Sequence, residues 1–347
     1  MKQRKVPLDE ALGMVIPHDL TKIVRGEHKG PAFRKGHVIK PEDIPELQKM
    51  GKAHIFVLEL EHGEIHEDDA GLRIAQAAAG KNVLTGRPKE SRVNLTSAIR
   101  GLLKVNVAAL LALNELEDLV FSCLSNYKPV EAGELLAATK VVPLVVPEQT
   151  VLDAEILCQT MGKIIEVVPY QALKAGIVVT GGEVYHKRIK DTFGPVLREK
   201  LQSYGASVFP VAYAPDDAGV IAEQIDLLAG QGAELILVSG GMSVDPDDVT
   251  PQGIRLSGAK VEKYGAPVLP GAMFLLAYKE EIPIIGMPAC GMYFRITVLD
   301  LILPRLFAGE KLRRADIIAL AHGGLCWNCS ECRYPRCSFG QGGILRG

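Results

Sequence analysis

At 347 residues the chain is too long for one ordinary core, and its length points to about two domains, or three. Hydrophobic residues at 48% and charged residues at 23% are a soluble globular balance, and 39 basic against 41 acidic side chains leave a formal charge of −2, which excludes a whole-protein field favouring nucleic acid or an anionic membrane. No apolar run approaches the ~18 residues that span a bilayer, and the basic N-terminus has no apolar stretch behind it, so a cytoplasmic location is expected and Asn94-Leu95-Thr96 is a chance sequon.

In chain order, residues 1–82 read as a mixed α/β segment. PLDEALGMVI has helical spacing, FRKGHVIKPEDIPELQKMG reads as a strand and a short helix, and AHIFVLEL is a strand. A helix follows in DDAGLRIAQAAAG, with Asp68 and Asp69 as caps and Gly80 as its end. His62 and His66 do not form H-E-x-x-H, and Gly63 keeps them off one helical face, so both read as surface histidines near a helix start. Residues 83–172 change to short apolar runs punctuated by Pro and Gly, with one helical stretch near VNVAALLALNELEDLV, and read as a smaller β-rich or mixed domain.

From 173 to 310 the alternation is regular. Strands GIVVTGG, ASVFPV, AELILVSGG, MFLLAYK and IPIIGMP are separated by helices over about 187–204, 216–230 and 291–308, which predicts an α/β domain with a doubly wound, mostly parallel sheet. Ligands of such sheets bind at the carboxyl ends of the strands. That rule selects three small-residue turns: Thr180-Gly181-Gly182-Glu183, Ser239-Gly240-Gly241 and Met287-Pro288-Ala289-Cys290-Gly291. Glycine lets backbone N–H groups approach phosphate oxygens closely, so an anionic, phosphate-bearing ligand is expected. A Walker-type lysine and a complete G-x-G-x-x-G are both absent from the sequence. Beyond the second turn, Asp245, Asp247 and Asp248 crowd four positions, as a solvated capping turn or as carboxylates that hold Mg²⁺ against phosphate.

The succession TGGEVYHKRIKDTFGPVLREKLQSYG, APDD, LILVSGGMSVDPDDV, LPGAMFLLAY and GMPACGMYFRITVLDLILPRLFAG resembles the molybdopterin-binding domain of molybdenum cofactor biosynthesis proteins. Within that group the molybdopterin molybdenumtransferases are the nearest likeness, over about residues 175–310, and EALGMVIPHDLT is similar to their opening. The resemblance implies binding of molybdopterin, in its adenylylated form, and insertion of molybdate with release of AMP and help from Mg²⁺. It further implies a homodimer, with a molybdoenzyme or another cofactor-biosynthesis protein as partner.

Carried over by position, Thr180, Gly181 and Glu183 fall on the family's T-G-D-E turn, with Gly182 in place of its Asp. Ser239, Gly240, Gly241, Ser243 and Asp248 fall on S-G-G-x-S-x-G-x-x-D, with Asp245 in place of the third Gly. Pro270 and Gly271 match half of P-G-K-P, Ala272 standing where the lysine belongs, and L-P-G-N-P has become the 287–291 turn with Pro288, Ala289, Cys290 and Gly291. On this reading Glu183 and Asp248 are catalytic and position Mg²⁺ or water, while amides at 181, 182, 240, 241 and 289–291 cradle pterin and phosphate. Losing the lysine removes a point charge for an anion, and Asp245 adds a negative one. Three functions therefore stay open: a molybdenumtransferase, a non-catalytic carrier or sensor of molybdopterin or finished cofactor, and a nucleotide-processing enzyme resembling the competence-damage pyrophosphatases.

The segment 311–347 is cysteine-rich. Cys326, Cys329, Cys332 and Cys337 have Cys-x2-Cys-x2-Cys-x4-Cys spacing, which suits an iron–sulfur cluster, a [4Fe–4S] centre, or Zn²⁺, or else a reduced tail. Cys123, Cys158 and Cys290 are scattered, and Cys290 reads as a small packing residue.

Overall fold

The computed structural model describes residues 2–24, 28–89, 92–242, 248–288 and 290–342. The chain is an α/β protein that divides into two compact units: 1–97, 106–124 and 133–166 form the first, and 98–105, 125–132 and 167–347 the second. Residues 83–172 thus contribute to both. Among the described residues no helix is long and apolar enough to cross a membrane.

In the first unit Lys2–Pro7 pairs antiparallel with His54–Glu59, and Val6, Leu8, Ile16, Leu47 and Val57 form the core beneath them. The helical spacing of PLDEALGMVI yields only a single turn, Leu8–Glu10, because Gly13 turns the chain at φ +77° and Val15 then bridges Val38. Helix Glu67–Ala78 is capped by His66, whose Nδ1 accepts from the Asp68 amide at 3.3 Å, so Asp68 and Asp69 lie in its first turn instead. Nε2 then carries the proton and donates to the Gly36 carbonyl at 3.0 Å, and the ring is buried; His66 is a structural cap and not a surface histidine. The helix stops at Ala78, before Gly80, because Ala79 is extended and bridges Ile165. Strands Val83–Thr85, Val93–Ser97, Leu135–Val141 and Leu119–Cys123 make an antiparallel sheet in that order.

The second unit is built on a seven-stranded sheet. Its strands are β1 (Lys174–Thr180), β2 (Ser207–Val208), β3 (Ala212–Ala214), β4 (Leu235–Ser239), β5 (Lys260–Tyr264), β6 (Leu275–Lys279) and β7 (Ile282–Met287). The order is β2-β1-β4-β7-β6-β5, with β3 beside β1. Pairings among β1, β2, β3, β4 and β7 are parallel, whereas β7-β6 and β6-β5 are antiparallel. ASVFPV, expected as one strand, holds only the two residues of β2; Pro210 interrupts pairing, and β3 begins beyond it at Ala212.

Strand alternation sorts the side chains to the two faces. Ile177, Val179, Leu237 and Ile285 pack with helices α2 (Phe193–Ser203) and α6 (Val298–Phe307). Val178, Ile236, Val238 and Ile284 pack with α3 (Ala218–Gly230) and α4 (Thr250–Leu256). Asp217 caps α3 by accepting from the amides of Gly219 and Val220 at 2.8 and 3.0 Å. The helix expected over 291–308 is two pieces, α5 (Cys290–Tyr293) and α6, because Thr297 caps α6 and the Asp300 carboxylate accepts from the Thr297 amide at 2.7 Å.

Candidate functional site

Register brings the loops to one edge. Val179 pairs with Ser239, Ser239 with Met287, and Thr180 with Ala214, so the carboxyl ends of β1, β3, β4 and β7 are level. The antiparallel hairpin adds a loop that sequence order alone places elsewhere: Leu275 lies opposite Gly286 and Tyr264, so residues 265–274, with Pro270 and Gly271, turn at that same edge.

The first two turns are tied by a buried hydroxyl knot. Thr180 Oγ1 donates to the Ser239 carbonyl at 3.0 Å and lies 3.1 Å from Thr250 Oγ1. A Cβ on Gly240 would stand 2.5 Å from the Thr180 carbonyl oxygen, and one on Gly241 2.7 Å from Thr250 Oγ1. Both glycines have positive φ, +93° and +54°. The turn is therefore closed to any side chain on steric grounds. Gly271, at φ +126°, is as crowded, since a Cβ there would meet Val298 Cγ1 at 2.6 Å.

A cleft of about 610 Å³ opens at this edge. Its lining includes Gly240, Gly241, Asp248, Pro270, Gly271, Pro288 and Cys290 of the expected site, together with Cys326 from the cysteine segment. Ser243, Asp245, Asp247 and Ala289 lie outside the described residues. Asp248 is half-buried, and its charge, secondary to burial, helps hold the Tyr264 phenol above its ordinary value. Burial pushes the Cys290 thiol up.

Thr180, Gly181, Gly182 and Glu183 are not among the lining residues. The amides expected to cradle phosphate there have other acceptors: Gly181 donates to the Ala214 carbonyl at 3.1 Å and Gly182 to Asp216 Oδ2 at 2.8 Å. The Gly291 amide likewise donates to the Pro288 carbonyl at 3.0 Å. Glu183 is exposed at the start of the short helix α1 (Gly182–Tyr185), as is His186 just after it.

Sequence reasoning missed the apolar wall of the cleft, made by Met242, Leu269, Met273, Phe294 and Leu325. Leu325 reaches it because Leu269 and Leu325 form a parallel bridge, with the Cys326 amide donating to the Leu269 carbonyl at 2.8 Å and the Leu269 amide to the Gly324 carbonyl at 2.8 Å. No local pattern signals that long-range pairing. Asp248 is the one carboxylate among the described lining residues, and no lysine or arginine stands among them.

Ser239 Oγ is buried and has no partner among the described residues. Ser239→Ala is expected to leave stability unchanged or raise it by up to about 1 kcal/mol, since it removes an unsatisfied buried hydroxyl. Urea denaturation checks this; a clear fall in the midpoint would show that the hydroxyl contributes to stability.

Residues 176–308 match the family described as "Probable molybdopterin binding domain". This segment belongs to the molybdopterin-binding domain family. Residues 5–59, ahead of it, match a family described as "Domain of unknown function (DUF8806)". A CinA-like protein of Mycolicibacterium vanbaalenii is 42% identical over 77 residues, which is 22% of this chain and 18% of that protein. The chain thus spans about a fifth of the length of the curated relatives it matches. Among solved structures, the tungsten cofactor synthesizing protein MoaB of Pyrococcus furiosus aligns with 17% identity and a TM-score of 0.33, over 42% of this chain and 98% of that one. The molybdopterin biosynthesis moea protein of Pyrococcus horikosii aligns with 12% identity and a TM-score of 0.34, over 89% of this chain and 75% of that one. The molybdopterin-binding domain contains every residue of the cleft except those supplied by the cysteine segment, Leu325, Cys326 and Asn328.

Proposed function

We propose that the chain acts in molybdenum cofactor biosynthesis by binding adenylylated molybdopterin in the cleft and inserting molybdate with release of AMP. The observation that carries this reading is the composition of the cleft: its described lining residues combine an apolar wall fit for a flat heterocycle, crowded glycine turns and the carboxylate of Asp248. Phosphate oxygens need positive charge, and the described lining residues offer none from a side chain. Asp248 would hold Mg²⁺ there, and the ion would supply that charge. Mg²⁺ held there would offset the charge on the phosphate oxygens as AMP leaves.

Anaerobically purified protein mixed with adenylylated molybdopterin, Mg²⁺ and molybdate tests the reading through AMP release and reconstitution of a molybdenum enzyme. Asp248→Asn is expected to lower the Mg²⁺-dependent rate about 100-fold while pterin binding falls much less, since the residue acts on the phosphate end. An unchanged rate would remove Asp248 from the chemistry.

A second reading is a carrier or sensor that has shed the insertion step. It is favoured by Ala272, which lines the cleft at the position where the resemblance requires lysine, and by Glu183 lying outside the lining. Tight pterin binding without AMP release selects it, whereas AMP release independent of molybdate selects a nucleotide-hydrolysing enzyme.

A further inference from the structure

The cysteine segment is folded onto the second unit. The half-buried Tyr334 donates its hydroxyl to the Asp300 carbonyl at 2.8 Å, and Phe339 is buried in the same core as α2 and α6. Cys326 and Cys337 pack against that core too. Beside them lies a second cavity, of about 80 Å³, and all four tail cysteines line it.

Three features of this cavity suit sulfur bound to iron. First, the Asn328 amide donates to Cys326 Sγ at 3.4 Å, with Asn328 held at φ +50° to aim it. Such N–H···S bonds stabilise a coordinating thiolate and tune a cluster's potential. Second, Arg295 and Arg333 line the cavity and no carboxylate is among its described lining residues. Four thiolates around a [4Fe–4S]²⁺ core carry a net charge of about −2, which two guanidinium groups match. Third, the four thiols line one shared space, and a four-iron cluster bridges thiolates set around such a space, whereas a single zinc ion needs four sulfurs about 2.3 Å from one point.

We propose that Cys326, Cys329, Cys332 and Cys337 bind one [4Fe–4S] cluster in this cavity. Its position gives it a role at the ligand site, because Phe294, Cys326 and Asn328 line both cavities. The cluster forms a wall of the cleft, and its presence fixes the 325–328 segment that completes the apolar surface. The site itself does not rest on the reaction proposed for the cleft.

The test uses the full chain, purified anaerobically and then incubated with ferrous and ferric iron in equal amounts and sulfide. About four iron and four acid-labile sulfide per chain are expected, with an electron paramagnetic resonance signal after reduction by dithionite. Cys329→Ser and Cys332→Ser should each lose most of that iron while circular dichroism shows the fold retained, and Cys123→Ser should bind the full amount. One zinc per chain with no iron, or full iron in Cys329→Ser, overturns the proposal. Should a serine variant fail to fold, the Mössbauer spectrum of the ⁵⁷Fe-reconstituted parent decides: four thiolate-bound irons in one cluster uphold the site, and scattered high-spin iron rejects it.

Discussion

Gly240→Ala is expected to destabilise the second unit by about 3 kcal/mol or more and to abolish ligand binding in the cleft. Two costs add: roughly 1–2 kcal/mol for holding an L-residue at positive φ, and about 1–3 kcal/mol for forcing a methyl into filled space. The methyl would meet the Thr180 carbonyl oxygen at 2.5 Å and Thr180 Oγ1 at 2.7 Å. Both belong to the end of β1, so relief requires moving a central strand or breaking the bonds that Thr180 makes to Ser239 and Thr250. Gly205→Ala is the matched control, with φ +90° and nothing within 4 Å of the added carbon, and only the backbone cost applies there. Urea denaturation of both variants separates the terms. Equal losses would mean that the β1 end yields freely, and that the knot does not hold the cleft's floor.

Arg305→Ala is expected to cost about 3–5 kcal/mol, the usual penalty for stranding buried charges. The side chain is buried, bonds Glu310 through Nε at 2.7 Å and Asp316 through Nη2 at 3.1 Å, and lies 4.0 Å over the ring of Tyr127. Its loss leaves Glu310 with Lys104, at 3.0 Å, as the ion pair that remains to it. Lysine at 305 should recover only part of the stability, because an ammonium cannot serve two carboxylates in a fork and stack on a ring together. Denaturation midpoints of the two variants check both statements, and a loss below about 1 kcal/mol would show water compensating the carboxylates.

Much of the second unit was legible because its strands are buried on both faces and therefore read as unbroken apolar runs. LILVS between AE and GGM cannot be anything but a central strand, and the glycines after it mark the loop edge. The reversal between β6 and β7 was hidden, since it turns on Glu280 at φ +54°, and Glu-Glu is not a hairpin dipeptide. Without that reversal the Pro270-Gly271 loop had no address. His66 misled for a different reason: imidazole is rarely a helix cap, and its burial depends on Gly36, thirty residues away. The site was legible as a set of turns, whereas its apolar wall depends on the Leu269–Leu325 bridge and on side chains such as Phe294 whose inward direction no periodicity reports.

The interleaved path of the chain bears on how the molecule can be cut. Strands Gly101–Val105 and Lys128–Val130 form one sheet with Ile165–Pro169, and Tyr170 donates its hydroxyl to the Gly101 carbonyl at 3.0 Å. A gene fragment opened near residue 173, the boundary that the matched family segment invites, discards this ribbon together with Tyr127 and Lys104. It leaves Arg305 with no ring to cover it. The family segment and the compact unit are therefore different stretches of polypeptide here, and a transplant of the cleft that keeps its packing carries the two excursions at 98–105 and 125–132 with it.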